Sequence, residues 1–441
     1  MVLVIAIISS LVAFLDGSIV NVALPAISRE LHGGLIIQQW IVDAYLLTLG
    51  SFILIAGSLS DLFGRKRLLL MGLVGFGIAS LLCAIAPNSL VLVILRGVQG
   101  IFGALIVPSS LAIISAYISE DNFPRAIGYW TSWTSIAFII GPLLGGFLTD
   151  NFSWRWIFGI NVLPIAVTLY LMRHMPAEAK RDNKTLVDIT GAITCALALI
   201  GVVFAFIEQP HFGFASPVVY APLIGGVLFA IFFLWWERHA KEPMLPLDLF
   251  KKRNFSAGNL ATFSIYAGLS ALTFILVIYL QQNVHYSALK SGMSLLPITI
   301  VMFLGSSTMG RLSKKFGNRW FMAFGPLLGA LGIAMIGLQV HSNVNYWTNI
   351  FPGIIVFSLG LMITVTPLTA AILSDGGAGR SGVASAVNNA VARIAGLLAI
   401  ALIGMVAYSF NITLFAIAGL LALGGIISAI GIRDKAKSGA S

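Results

Sequence analysis

The stretch that decides the fold lies near the N-terminus and reads Phe14-Leu15-Asp16-Gly17-Ser18-Ile19-Val20-Asn21-Val22-Ala23-Leu24-Pro25. It is apolar except for one carboxylate and one amide, and no other charged side chain occurs before Arg29. A run of about 20 apolar residues, rising 1.5 Å per residue, spans the hydrocarbon of a bilayer. If this run spans a membrane, Asp16 lies inside it, where an ionisable group is costly and therefore a candidate for function.

The composition of the whole chain supports a membrane protein. Of 441 residues, 58% are hydrophobic and 10% are charged, whereas a soluble chain carries about 25% charged residues. The composition therefore excludes a soluble globular protein. The two cysteines, Cys83 and Cys195, each lie in an apolar run, which favours packing over a disulfide or a metal site.

Hydropathy predicts an all-α polytopic membrane protein with fourteen transmembrane helices. The predicted helices cover 3–27, 39–60, 67–86, 89–115, 124–149, 155–173, 185–208, 217–237, 256–281, 288–310, 320–340, 347–373, 382–408 and 411–432.

The distribution of Lys and Arg predicts how these helices are oriented. With the N-terminus inside, the cytoplasmic segments hold 21 of the 26 Lys and Arg residues and the external segments hold Arg29, Arg155 and Lys290. Because cytoplasmic loops are enriched in Lys and Arg, both termini are predicted to be cytoplasmic. The net charge of +10 then faces the inner leaflet and does not indicate nucleic acid.

An internal repeat predicts how the helices are grouped. The segment Gly57-Ser58-Leu59-Ser60-Asp61-Leu62-Phe63-Gly64-Arg65-Lys66-Arg67 follows the second helix, and Gly310-Arg311-Leu312-Ser313-Lys314-Lys315-Phe316-Gly317-Asn318-Arg319 follows the tenth. Gly, Leu, Ser, Phe and Gly recur in register. We therefore predict two six-helix halves, 1–175 and 251–441, related as parallel repeats, with two linker helices inserted in 176–250.

Two charged residues fall at the same predicted depth. Asp16 lies about 20 Å from the cytoplasmic face, and Arg96 on the fourth helix lies about 10 Å below the outer face. In hydrocarbon about 30 Å thick these depths coincide, so the two side chains are expected to meet. The pair suits a proton carrier, and the alternative is a static structural ion pair.

Asp43 is the second acidic residue inside a predicted helix. It is expected either to be solvated in an outer vestibule or to attract an organic cation together with Trp40 and Tyr45. From Lys251 to Arg433 the only acidic residue is Asp375, so a carboxylate that carries a proton belongs to the first half.

Other embedded polar and aromatic groups are weaker candidates. On the thirteenth helix, Asn388 and Arg393 lie on a small, apolar face, where interhelical hydrogen bonding is the alternative to substrate contact. Trp133 shares a face of the fifth helix with Trp130, and packing is the alternative there. The complete set of candidate substrate contacts is Asp16, Asn21, Asp43, Tyr45, Trp133, Tyr266, Asn388 and Arg393.

Several motifs resemble those of one transporter group, the fourteen-span drug–proton antiporters of the major facilitator superfamily that are EmrB- and QacA-like. The resemblance covers essentially the whole chain. It rests on the first-helix stretch, on Gly57 to Arg67, on Arg96-Gly97-Val98-Gln99-Gly100, on Gly141-Pro142-Leu143-Leu144-Gly145-Gly146 and on Trp154-Arg155-Trp156-Ile157-Phe158-Gly159-Ile160-Asn161-Val162-Leu163-Pro164. The long segment that this group often carries between its last two helices is nearly absent, which leaves the substrate range open.

The resemblance implies roles for these motifs. Arg96 would take part in proton transfer, and Asp61 with Arg65 would form a gating charge pair. With the two embedded carboxyl groups of Asp16 and Asp43, which the sequence itself singles out, Arg96 completes the predicted proton-coupling set. The further gating residues implied are Gly57, Gly64, Gly141, Pro142, Gly145 and Gly146.

The expected function is proton-coupled antiport in the inner (plasma) membrane. The protein is expected to export a lipophilic, cationic compound by alternating access. The expected partners are that small substrate, protons and the lipid bilayer. No metal or other cofactor is expected, because neither a Walker-type loop nor an HExxH motif occurs. The alternatives are export or proton symport of a native lipid, peptide or metabolite and, in another class, a membrane enzyme or a non-transporting sensor.

Overall fold

The structure is a computed structural model that describes residues 1–119, 122–175, 187–241, 243–340, 344–376, 381–406 and 409–434. Every regular element in these ranges is helical. Seventeen α-helices follow in chain order: α1 (Val2–Glu30), α2 (Gly34–Phe63), α3 (Arg65–Ala84), α4 (Ser89–Tyr117), α5 (Phe123–Ser135), α6 (Ala137–Asn151), α7 (Trp156–Gly159), α8 (Val162–Arg173), α9 (Ile189–Phe212), α10 (Pro217–His239), α11 (Arg253–Gln282), α12 (Ala288–Met293), α13 (Leu296–Phe316), α14 (Arg319–Gln339), α15 (Phe351–Gly376), α16 (Ser381–Val406) and α17 (Phe410–Gly431). A 3-10 helix covers Leu247–Lys251, and a π-helical turn covers Tyr346–Ile350.

The fourteen predicted spans are confirmed within the described ranges. Fourteen helical segments there are long and apolar enough to cross a membrane. Three of these spans consist of two α-helices each, namely α5 with α6, α7 with α8, and α12 with α13, and a fourth joins the π-helical turn to α15. The second span begins at Gly34, five residues before its predicted start, so Gln38 and Gln39 are helical.

Proline explains two of the three breaks. Pro164 and Pro297 each lie in the first turn of the helix that follows a break, α8 and α13. Proline has no N–H to donate to the preceding turn, so the earlier helix does not continue through it. The first of these breaks lies between Gly159 and Val162, and Asn161 is the N-cap residue of α8.

The described chain forms two compact units. Unit 1 comprises Met1–Leu245 and Val277–Met293, and unit 2 comprises Pro246–Leu276 and Ser294–Ser441. The predicted division into two halves and an inserted pair of helices remains a prediction.

The internal repeat has the same backbone conformation in both copies. Gly64 follows α2 with φ of 89°, and Gly317 follows α13 with φ of 92°. This left-handed region carries little penalty for glycine and is unfavourable for residues with a Cβ atom. In both copies glycine therefore permits the sharp turn from one helix into the next.

Close packing of α2 on α4 positions the charged side chains of unit 1. A Cβ atom on Gly100 would stand 2.4 Å from the Tyr45 carbonyl oxygen, so only glycine allows this approach. The Thr48 hydroxyl then donates a 2.8 Å hydrogen bond to the Gly97 carbonyl oxygen. This packing brings Arg96, on the preceding turn of α4, against α2.

Candidate functional site

Asp16 and Arg96 form an ion pair in the interior of unit 1. Arg96 Nη1 donates to Asp16 Oδ2 over 2.6 Å, and the two side chains are 2% and 0% exposed. Burial of two opposite charges offsets part of the desolvation cost of each. The structure thus brings together the two residues whose predicted depths coincide.

Two amides complete the surroundings of the Asp16 carboxylate. Gln99 Nε2 and Asn161 Nδ2 each donate to Asp16 Oδ1 over 3.0 Å. Both amides also contact the Ser80 hydroxyl, at 3.3 Å from Gln99 and 3.0 Å from Asn161. Ser80 in turn donates to the Phe158 carbonyl oxygen over 2.8 Å. The carboxylate therefore accepts from α4 twice and from the α7–α8 junction once.

Arg96 is held from three sides. Its Nε donates to the Ile41 carbonyl oxygen over 3.1 Å, and its Nη1 also donates to Gln99 Oε1 over 2.6 Å. The guanidinium carbon stands 4.3 Å from the centre of the Tyr45 ring, which is within cation–π range. Arg96 is 1% exposed, so these contacts replace its hydration.

The Asp16 carboxylate is closed to solvent in the conformation observed. It is fully buried and accepts three hydrogen bonds, one of them from a guanidinium. The arrangement is compatible with a gated proton carrier and with a static ion pair.

Asp43 occupies the opposite environment in the same unit. It is 0% exposed, and neither carboxylate oxygen has a hydrogen-bond partner among the described residues. The alternative in which Asp43 is solvated in an outer vestibule is not met in this structure, because its side chain is fully buried. A buried carboxyl without donors avoids a large desolvation cost by carrying a proton or by meeting a cation.

The two aromatic residues expected beside Asp43 have other partners. Trp40 Nε1 donates to Glu208 on α9 over 3.0 Å, and its ring lies 5.9 Å from that of Phe204. Tyr45 is 2% exposed, and its ring contacts Arg96. Trp40 is thus engaged with α9 and Tyr45 with Arg96 in this conformation.

The other predicted contacts in unit 1 lie apart from this cluster. Asn21 is half-buried one helical turn and a half beyond Asp16. Trp133 is 54% exposed, whereas Trp130 is half-buried and donates to the Ser10 hydroxyl over 3.1 Å. The two indoles therefore have different surroundings although they share a predicted face.

Unit 2 contains the remaining three predicted contacts. Asn388 Oδ1 accepts a 2.7 Å hydrogen bond from the Thr262 hydroxyl. Tyr266 is half-buried and lies within electrostatic range of Arg393, which is also half-buried. Interhelical hydrogen bonding, the alternative predicted for this region, accounts for Asn388.

The predicted gating pair is only partly described. The surroundings of Asp61, one member of the pair, and of Gly57 lie outside what the structure describes. Arg65 is 8% exposed, and its Nη1 donates to the Ala112 carbonyl oxygen over 2.9 Å. Its gating role remains a prediction, as does that of Gly64.

The glycine-rich motif of α6 packs against two helices of unit 1. Cβ atoms on Gly141 and Gly145 would collide with Ser18 and Ile19 on α1. A Cβ on Gly146 would stand 2.3 Å from Leu289 Cα on α12, and one on Gly292 would stand 2.4 Å from the Pro142 carbonyl oxygen. These residues permit helix contacts too close for any side chain.

Three residues of the Asp16 cluster were missed as site residues: Ser80, Gln99 and Asn161. Gln99 follows Arg96 by three positions, which places both on one helical face, and this spacing was an available signal. Asn161 lies within a quoted motif, three residues before a proline. Ser80 occurs in a run of small and apolar residues, so no sequence signal distinguishes it.

Comparison with known proteins shows the family. The model of the Major Facilitator Superfamily matches residues 6–400. The chain is 30% identical over 407 residues to the puromycin resistance protein pur8 of Streptomyces alboniger, covering 92% of this chain and 81% of that protein. It is 32% identical over 410 residues to the methylenomycin A resistance protein of Bacillus subtilis, covering 92% and 87%.

A solved structure shares the fold at low sequence identity. The inward-open xylose transporter XylE of E. coli matches with a TM-score of 0.67 and 13% identity, covering 98% of this chain and 96% of that one. At this identity the likeness shows the fold alone. The family match and the fourteen spans together establish that this chain is a multi-pass membrane protein belonging to the Major Facilitator Superfamily.

Proposed function

We propose that the protein exports lipophilic, cationic compounds across the inner membrane in exchange for protons, by alternating access. The drug resistance named for the relatives supports the export of small molecules. The observation that carries proton coupling is the presence of two fully buried carboxyl groups in unit 1: Asp16 has three donors, and Asp43 has none among the described residues.

Asp43 is proposed as the group that exchanges a proton for a cation. A buried carboxylate without a partner is unfavourable, and either a proton or a cationic substrate removes that cost. Because one carboxylate neutralises one charge at a time, binding of a cation displaces the proton. Such competition at a single site links the movement of cargo to the opposite movement of a proton.

Asp16 is proposed as the acid that links protonation to conformation. Protonation would remove the negative charge that faces Arg96 and leave the guanidinium buried without its counter-charge, which is strongly unfavourable. The helices α1 and α4 would then favour an arrangement in which Arg96 gains water or another partner. Protonation from outside would thus favour release of cargo outward.

The remaining parts of the proposal follow from the family and from the sequence. Transport requires no covalent step, so the protein is proposed not to be an enzyme and to need no cofactor, with the proton gradient as its energy source. The Lys and Arg distribution supports cytoplasmic termini.

The test is cation efflux from liposomes driven by an imposed pH gradient. Purified protein is reconstituted, ethidium serves as the reporter, and wild type is compared with Asp16→Asn and Asp43→Asn. The matched control is Asp248→Asn, which makes the same substitution at an exposed aspartate. We expect wild type and Asp248→Asn to transport and both other variants to lose gradient-driven flux.

The outcomes separate the parts of the proposal. Full coupled flux by Asp16→Asn would show that its ion pair with Arg96 is structural. If Asp43→Asn transports ethidium at the full rate while Asp16→Asn loses transport, Asp43 does not bind the cation. If wild type does not transport ethidium but moves protons together with another solute, such as a native metabolite, the proposal of drug export is wrong.

A further inference from the structure

A second pair of carboxyl groups lies on the inserted helices, far along the chain from the site described above. Asp188 is the N-cap residue of α9, and Glu237 lies in the last turn of α10. Glu237 is 3% exposed although it is close to a helix end. Asp188 is half-buried.

One oxygen of each carboxyl group has ordinary donors. Asp188 Oδ1 accepts from the Gly191 backbone N–H and from Trp236 Nε1, both over 2.8 Å. Glu237 Oε2 accepts from the Leu245 backbone N–H over 3.0 Å. These bonds join the beginning of α9, the end of α10 and the segment that follows α10.

The other two oxygens point to one place. Asp188 Oδ2 and Glu237 Oε1 are buried and have no hydrogen-bond partner among the described residues. They lie 2.4 and 2.7 Å from the point where a Cβ atom on Gly191 would stand. Glycine at this position leaves the space in which the two carboxyl groups face each other.

Two buried carboxylate oxygens that border the same small space cannot both remain ionised at low cost. Each oxygen is an acceptor, so without a proton the contact is repulsive, and burial strengthens the repulsion. One proton converts it into a hydrogen bond in which the O–H of one carboxyl donates to the carboxylate oxygen of the other. Two converging oxygens are too few for Ca²⁺, which takes 6–8 oxygen ligands.

We propose that Asp188 and Glu237 form a proton-binding site that holds one shared proton and closes the end of the α9–α10 hairpin. Loss of that proton leaves two buried carboxylates facing each other, and their repulsion separates them. The site is thus a proton-sensitive clasp between the beginning of α9 and the end of α10. It is independent of the proposed coupling by Asp16 and Asp43.

The groups around this pair do not supply a compensating cation among the described residues. On α9 the neighbouring titratable side chain is that of Cys195, a buried free thiol. On α10 and beyond it, Arg238, His239 and Lys241 are exposed, and the His239 ring packs on Trp235. Trp236 contributes a neutral donor.

The test is the pH dependence of thermal unfolding of the full-length protein in detergent. The native pair binds a proton that the exposed carboxyls of an unfolded chain release near neutral pH, so the pair stabilises less as pH rises. In Glu237→Gln the amide N–H donates to Asp188 at every pH and replaces the shared proton. We therefore expect the Tm of Glu237→Gln minus that of wild type to increase by about 2 °C or more between roughly pH 5 and pH 9.

Asp188→Asn provides a second variant, because its side-chain oxygen still caps α9 and its amide N–H can face Glu237. It is expected to show the same pH-dependent difference, and the double variant is expected to add nothing to the pH dependence. Glu208→Gln, at the other end of α9, is the matched control and is expected to retain the wild-type pH dependence.

Two results would overturn the shared proton. A difference in Tm between Glu237→Gln and wild type that stays constant with pH would show that no proton is bound there. Stabilisation of wild type, but not of Glu237→Gln, by millimolar MgCl2 or CaCl2 at matched ionic strength would instead identify a site for a divalent cation.

Discussion

Unit 1 and unit 2 have similar repeated turns but different polar interiors. In unit 1 the interior holds the Asp16–Arg96 ion pair and the unpartnered Asp43 carboxyl. Among the described residues of unit 2, Asn388 has a neutral partner in the Thr262 hydroxyl, and the half-buried Arg393 lies within electrostatic range of Tyr266. The repeat turns at Gly64 and Gly317 are nevertheless alike. Similar turns thus accompany different polar groups, and the coupling proposed above rests on the carboxyl groups of unit 1.

The largest effect is expected when one charge of the unit 1 pair is removed. Arg96→Met leaves the Asp16 carboxylate buried without its counter-charge, and this is expected to lower the free energy of unfolding by about 3–5 kcal/mol. Unfolding in mixed detergent and SDS, followed by tryptophan fluorescence, measures the change.

A double-mutant cycle shows whether the loss comes from the charge. Asp16→Asn combined with Arg96→Met removes both charges and is expected to recover most of the stability, because replacement of a buried pair by neutral groups is often nearly neutral. If the double variant is as unstable as the sum of the single variants, the two side chains act independently. The contrast between the units would then not rest on this ion pair.

The fold and the central pair were predictable from the sequence because they depend on length and depth. Apolar runs of sufficient length give the spans, and counting residues along two helices places Asp16 opposite Arg96. The breaks were not predicted. A proline within an apolar run permits either a kinked helix or two helices, and the hydropathy is the same for both.

The neutral members of the cluster could not be predicted in the same way. Asn161 donates to Asp16 from the junction of α7 and α8, and Asn161 meets Ser80 because α3 packs beside that junction. The Asp188–Glu237 pair depends on the return of α10 beside the beginning of α9. Such contacts arise from packing between distant segments, for which spacing in a single sequence has no signature.

The next effect tests whether backbone packing differs between the units. Gly146→Ala in unit 1 would place a Cβ 2.3 Å from Leu289 Cα, and Gly332→Ala in unit 2 would place one 2.5 Å from the Gly353 carbonyl oxygen. Both helices must separate, so each substitution is expected to cost about 1–3 kcal/mol. Thermal unfolding in detergent measures both.

Gly128 and Gly419 serve as matched controls, one in each unit, since nothing lies within 4 Å of a Cβ built on either. Their alanine variants are expected to unfold like wild type. Similar losses for Gly146→Ala and Gly332→Ala would confine the difference between the units to polar chemistry. A loss in only one unit would show that packing differs as well.

A smaller effect is expected when one amide is removed from the Asp16 carboxylate. Asn161→Ala deletes one of three donors and leaves the ion pair intact, so it is expected to cost about 1–2 kcal/mol. Because Arg96 and Gln99 remain, gradient-driven ethidium efflux is expected to persist at a reduced rate. Loss of efflux equal to that of Asp16→Asn would show that orientation by Asn161, and not the ion pair alone, controls Asp16.

The smallest effect is expected in unit 2. Thr262→Val removes the donor to Asn388 while keeping the shape of the side chain, and hydrogen bonds between membrane helices contribute about 0.6 kcal/mol on average. The free energy of unfolding is therefore expected to change slightly, and pH-driven efflux is expected to equal that of wild type.

The neutral Ser10–Ser110 pair of unit 1, 2.6 Å apart, offers a matched case in Ser10→Ala. If Thr262→Val abolishes coupling while Ser10→Ala does not, a neutral hydrogen bond in unit 2 takes part in coupling, and its assignment to unit 1 alone is wrong.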